Sequence, residues 1–147
     1  MRVLGNMIGA SKVHHASYLV KTGKLDEAVG FFRELRWRLV NEVVGDWGRA
    51  KFVKIGYQDI SVQLTEYADR DPSLQTCTDD AHLAIAVQVV TAEMAANSML
   101  LWAIGHKLDE GARIEIGNSD GTKWLVYLPA IFTFAIEVVK VKDLRYS

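Results

Sequence analysis

HASYLV (His15–Val20) and HLAIAV (His82–Val87) share one pattern: a histidine leads a short run in which small or apolar residues alternate. Each run heads the same succession of elements. KLDEAVGFFREL (24–35) places Leu25, Ala28, Val29, Phe32 and Leu35 at helical spacing. Asp26 and Glu27 fall in its first turn, where the helix dipole favours acids. WRLVNEVV (37–44), AKFVKIGY (50–57) and ISVQLTEY (60–67) follow as β-rich runs, interrupted by GDWG and YQD. After the second histidine run, TAEMAANSMLLWAIGHKL (91–108) reads as a helix stopped by Gly105. ARIEIGN, KWLVYLP and FTFAIEVVKV are again three β-rich runs, with NSDG as a turn. Both halves therefore read β-α-β-β-β, an internal repeat of about 65 residues, too long for a solenoid and suited to two paired units. The expectation is an α+β fold of two modules, residues 12–67 and 80–142, whose curled mixed sheets surround a cavity. A polar linker (68–79, with Pro72) joins them, a tail (1–11) precedes them, and the whole forms one domain.

Composition narrows the function classes. A net charge of −1, without a stripe of Lys and Arg, argues against a nucleic-acid partner. Arg33, Arg36 and Arg38 read as a solvated helix end. The single cysteine, Cys77, excludes an intrachain disulfide and a Cys-rich zinc site. No run of about 18 apolar residues is present to cross a membrane as a helix. The N-terminal apolar run is too short for a signal peptide, so the expected location is cytoplasmic.

Strand parity sorts the remaining candidates. Ala16, Tyr18 and Val20 make one face of the first strand; His15, Ser17 and Leu19 make the other. The corresponding second faces carry Ser61, Gln63 and Thr65; His82, Ala84 and Ala86; and Thr133, Ala135 and Glu137. Each strand thus has one large apolar face for a helix and one small or polar face suited to an open concavity. His15, Gln63, His82 and Glu137 are the groups on those faces able to ligate a metal. A lone strand histidine is usually structural, but four donors at matched positions of a repeat form a set. His14 has helix-facing parity and reads as packed or strand-end. Arg49 and Lys51 fit either a cavity rim meeting an anion or solvated strand edges. Trp47, Tyr57, Trp102 and Trp124 read as core, and His106 as a helix-end residue.

These residues and their order resemble the vicinal oxygen chelate superfamily, which includes glyoxalase I, extradiol dioxygenases, methylmalonyl-CoA epimerases and fosfomycin or bleomycin resistance proteins. The resemblance spans roughly residues 12–141 and implies the glyoxalase-like fold. It also implies metal ligands from the first and fourth strands of each module, here His15, Gln63, His82 and Glu137. LVKTGKLDEAVGFF resembles the family's first strand-to-helix passage, and KWLVYLP with FTFAIEVV resembles the epimerase run ending in a ligand Glu. Three departures stand out. RELRWRL replaces the usual Leu-Gly after the first helix, and PAIFTF replaces a Gly-rich turn. Asp46 in GDWG stands where epimerases carry a proton-transferring Glu, and with Glu137 makes the expected catalytic pair.

Two imidazoles, an amide and a carboxylate suit divalent Co, Ni, Mn, Zn or Fe. The activity implied is metal-dependent isomerase or lyase chemistry on a small molecule through an enolate or enediolate held by its vicinal oxygens. One alternative is a metal-free protein sequestering an antibiotic or other small ligand. Another is an Fe(II) extradiol-type dioxygenase or a fosfomycin-type thiol transferase. The resemblance also implies a possible homodimer.

Overall fold

The computed structural model describes residues 3–56 and 58–146. A short helix, α1 (Val3–Ile8), occupies part of the expected tail. The first module comprises β1 (His15–Leu19), α2 (Leu25–Glu34), β2 (Arg38–Gly45), β3 (Gly48–Lys54) and β4 (Ser61–Tyr67). The second repeats the order with β5 (Thr78–Val87), α3 (Ala92–Gly105), β6 (Arg113–Ile116), β7 (Lys123–Tyr127) and β8 (Phe134–Lys140). Each module forms a four-stranded sheet, ordered β1-β4-β3-β2 and β5-β8-β7-β6. The first and last strands of each module pair in parallel and the remaining neighbours antiparallel, so both sheets are mixed.

The helices form where the apolar stripe demands a partner. α2 buries Leu25, Ala28, Val29, Phe31 and Phe32, and shares a core with Val53, Val62 and Leu64 of its sheet. α3 buries Ala92, Ala95, Ala96, Met99 and Ala103, in a core with Leu83, Ile85, Ile136 and Val138. Each buried phenylalanine contributes about 1.5–3 kcal/mol relative to exposure. Phe31 and Phe32 both contact Phe132, so the two modules share one core.

Both helices end within a residue of where the sequence placed them, but neither is closed by a glycine. Gly105 is the last helical residue rather than the stop. The left-handed position falls on Lys107 (φ 59°), with Leu108 N–H donating to Ala103 O and Lys107 N–H to Ile104 O. α2 ends the same way: Arg36 has φ 67°, Trp37 N–H reaches Phe32 O, and the two rings pack at 5.1 Å. Both ends are Schellman motifs built on a long basic residue where glycine is least strained.

The modules meet where β1 ends. Val20 bridges Phe132 in antiparallel fashion, Lys21 N–H donates to Ile131 O, and Thr133 donates to Leu19 O through both its N–H and its hydroxyl.

Candidate metal centre

Register explains how four residues distant in sequence come to equivalent places. β1 runs parallel to β4 with His15 opposite Ser61 and Ser17 opposite Gln63. β5 runs parallel to β8 with His82 opposite Ala135 and Ala84 opposite Glu137. In each module the imidazole and the second donor are therefore diagonal neighbours on one face, two residues apart in register. The opposite faces carry Val62, Leu64, Leu83, Ile85, Ile136 and Val138, all buried. The division into an apolar helix side and a small or polar side matches the parity argument.

The second-module pair is in contact. His82 Nε2 lies 3.2 Å from Glu137 Oε2, with 18% of the Glu137 side chain exposed against 48% of the His82 side chain. Two cis ligands about 2.1 Å from one octahedral ion stand roughly 3.0 Å apart, so this spacing suits joint ligation as well as a hydrogen bond. Tyr18 supports the strand here, its hydroxyl donating to His82 O at 3.4 Å.

The first-module pair is turned differently. The Gln63 amide NH2 donates to Thr65 Oγ1 at 3.1 Å, and that hydroxyl also meets Ser17 Oγ at 3.1 Å. With the nitrogen so engaged, the amide oxygen is the atom left for a ligand. His15 is exposed, its ring edge-on to Phe52 at 5.5 Å. Its Nδ1 is 2.9 Å from that of His14, so one imidazole donates to the other and Nε2 of His15 remains outside the pair. Among the described residues, no three His, Cys, Asp or Glu side chains form a metal-binding group. The structure thus brings His82 and Glu137 together and holds His15 and Gln63 at matching register without joining them to that contact. As a donor set, the four fit a divalent ion of mixed N/O preference.

Other candidates are placed more plainly. Asp46 is exposed in the two-residue turn between β2 and β3, where Gly45 pairs with Gly48. The level of Gln63, marked by Phe52, is four residues farther along β3, roughly 13 Å at the rise of a strand. Asp46 thus sits at a hairpin tip, well before the level of Gln63 along the first sheet. Arg49 and Lys51 face α2 rather than the cavity. Arg49 donates through Nε to Glu66 at 3.1 Å, and Lys51 donates to Asp26 at 2.9 Å. His14 is exposed just before β1, as a strand-end residue. His106 stacks on Trp102 at 4.5 Å.

Tyr127 was missed. It lies on β7 with the parity of Leu125, the cross-strand partner of Glu137, so it shares the open face of the second sheet. Its hydroxyl donates to Glu115 Oε1 at 2.9 Å, and the Arg113 guanidinium sits 3.9 Å over its ring. Burial, reinforced by the Glu115 carboxylate that accepts its hydrogen, pushes the phenol up to about 12. It therefore remains a donor across the physiological range. Parity within KWLVYLP, carried to the third strand, was the signal for it.

No family model matches the sequence, and no curated protein matches it significantly. Solved structures do. The trypanothione-dependent glyoxalase I of Leishmania major superposes with a TM-score of 0.59 at 17% identity, over 93% of this chain and 91% of that one. This chain has the glyoxalase-like fold. A variant of the fosfomycin resistance protein FosX from Listeria monocytogenes, complexed with Mn(II) and 1S,2S-dihydroxypropylphosphonic acid, gives 0.58 at 17% identity over 93% and 97%. TnmS3, an antibiotic-binding protein from Streptomyces sp. CB03234, gives 0.53 at 15% identity over 90% and 98%. Among the described residues no helix is long and apolar enough to cross a membrane.

Proposed function

We propose that the chain is a divalent-metal-dependent isomerase or lyase acting on a small molecule with two vicinal oxygens. His15, Gln63, His82 and Glu137 would hold the ion, and a bound divalent cation would supply Lewis acidity toward a carbonyl. The observation that carries this reading is the His82–Glu137 contact of 3.2 Å, at the same diagonal register that relates His15 to Gln63. Glu137 has one oxygen toward His82, leaving Oε1 as the acceptor for a proton next to the substrate carbonyl. The small, exposed Ala84 beside it leaves room for that substrate.

The test is metal titration of the full chain with Co(II), Ni(II), Mn(II) and Zn(II) by calorimetry, repeated on His82→Ala and Glu137→Gln. One equivalent should bind, and each substitution should weaken binding at least tenfold. Absence of stoichiometric binding, or binding indifferent to both substitutions, sinks the proposal. Metal-loaded chain would then be screened against thiol adducts of 2-oxoaldehydes, methylmalonyl-CoA and fosfomycin.

A second reading, a metal-free protein that sequesters a small ligand, draws on the His15 ring. It contacts His14 and Phe52 rather than the His82–Glu137 pair. TnmS3 shares the fold with this chain and is an antibiotic-binding protein. Tight drug binding by metal-free chain, together with no turnover in the screen, would favour that reading.

A further inference from the structure

The two junctions between modules use equivalent positions but differ in one residue. Matching Gln63 with Glu137 by register places Gln58 where the second module has Phe132. Phe132 is fully buried, bridged to Val20, and packed on the rings of Phe31, Phe32 and Phe134. Gln58 is exposed, and its N–H turns back to Ile55 O within its own loop. Val87, the counterpart of Val20, gives its carbonyl to Val141 N–H instead of crossing to the first module.

Where the first junction is plugged, the second is open. A cavity of about 340 Å³ lies there, lined by Trp37, Ile55, Gln58, Ala84, Ala86 and Val139 among others. Among the described residues no charged side chain lines it, and Gln58 is the one amide. Ala84 is the direct cross-strand partner of Glu137, so the cavity starts beside a proposed ligand. Ile85 in its wall also borders an apolar groove of about 550 Å³ reaching Phe31, Met99 and Leu101. The smaller volume falls at the lower end for small-molecule sites.

From this asymmetry we infer that the Gln58 cleft receives the uncharged, apolar end of the molecule whose vicinal oxygens are held at His82 and Glu137. The inference rests on reading that pair as ligands, and it names the substrate class: a chelating head bearing an alkyl or aryl group. A phosphate, carboxylate or ammonium brought into this lining would lose its hydration without an ionic partner. The charged part of any larger substrate therefore stays outside the cleft. The groove beyond Ile85 extends the same surface for longer chains.

Alkyl hydroxamates probe this directly, because each joins two vicinal oxygens to a chosen chain. Calorimetry on Co(II)-loaded full chain would compare acetohydroxamate with its homologues up to octanohydroxamate. Affinity should rise about fourfold per added methylene until the cleft is full. Gln58→Phe, which copies the plug at Phe132, should flatten that series to the acetohydroxamate value while leaving Co(II) affinity unchanged. Ala86→Leu, from another wall, should do the same, and thermal melts would confirm that both variants are folded. A flat series in the original chain, or a rising one indifferent to both variants, overturns the inference. A second arm separates this from failure of the metal reading. In metal-free chain, 1-hexanol should shift the methyl resonances of Ala84, Ala86 and Val139 saturably, and not in Gln58→Phe. If Co(II) fails to bind but hexanol saturates, the metal reading falls and the cleft stands; if hexanol leaves those methyls unmoved, the cleft falls.

Discussion

The two modules share a topology yet hold their helix starts by opposite charges. Glu66 and Lys140 are equivalent, each three residues beyond the ligand position of its strand. Glu66 is buried and accepts from Gly23 N–H and Leu25 N–H at the start of α2, while Arg49 Nη2 meets its other oxygen at 3.1 Å. Lys140 reaches the same loop in its own module but donates to the carbonyls of Gln88 and Val90. The cause lies one residue before each helix. Lys24 makes no side-chain cap, so α2 depends on a distant carboxylate at the positive end of its dipole. Thr91 caps α3 itself by accepting from Met94 N–H, which leaves position 140 free to serve the carbonyls. The same fold thus tolerates either sign at one site, provided the backbone groups facing it change role.

Substitutions can break this comparison, beginning with the junction. Phe132→Ala should cost about 3–5 kcal/mol in urea unfolding, because a wholly buried ring joining both modules is lost. Gln58→Ala, at the equivalent open position, should shift stability by less than about 0.5 kcal/mol. Equal costs would show that the second junction is closed in solution.

Next comes the anchor of α2. Glu66→Ala should cost about 2–4 kcal/mol, since it strands two backbone donors and the Arg49 guanidinium. Lys140→Met should cost no more than about 1 kcal/mol, because its carbonyl partners can turn to water. Comparable losses would mean that α3 also relies on residue 140 rather than on Thr91.

A smaller effect tests the helix ends, where the modules agree. Arg36→Gly and Lys107→Gly should each raise stability by up to about 1 kcal/mol by relieving left-handed strain. A loss at Arg36 alone would reveal an interaction of its side chain that the second module lacks.

The smallest expected effect concerns pH. Lys51, donating to Asp26, holds that carboxyl below its ordinary 3.8. A carboxyl whose folded value is depressed adds stability above its unfolded value, and that stability is lost as pH falls through the folded one. Asp26→Asn should therefore flatten the acid limb of thermal stability below about pH 4. Because 65% of the Asp26 side chain is exposed, the difference should stay under about 0.5 kcal/mol. The second module has no matching pair at α3 and serves as the internal control.

Much of the fold was legible because it depends on periods inside single segments. The spacing of Leu25, Ala28, Val29 and Phe32 implied α2, and alternation in HASYLV and HLAIAV implied two sheets each with one open face. The same alternation put His15, Gln63, His82 and Glu137 on the open faces, while their register across strands came from the sheet pairing. Three details were not legible for a common reason. α3 ends at Gly105, but its left-handed position falls two residues later, on Lys107. Asp46 was aligned by motif alone, and hairpin length set it six residues before Phe52, the partner of Gln63. Arg49 and Lys51 showed only their charge in the sequence, while Glu66 and Asp26 across the helix side chose their direction.

The sequence by itself determined the repeat, the two sheets and which face of each strand carries polar donors, because side-chain alternation is a local consequence of backbone geometry. Only the tertiary structure decided which donors touch, which helix start needs a carboxylate from another strand, and that one junction is plugged by Phe132 while its twin beside Gln58 stays open. Those outcomes depend on volumes and partners brought together from positions far apart in the chain, and no local period encodes them.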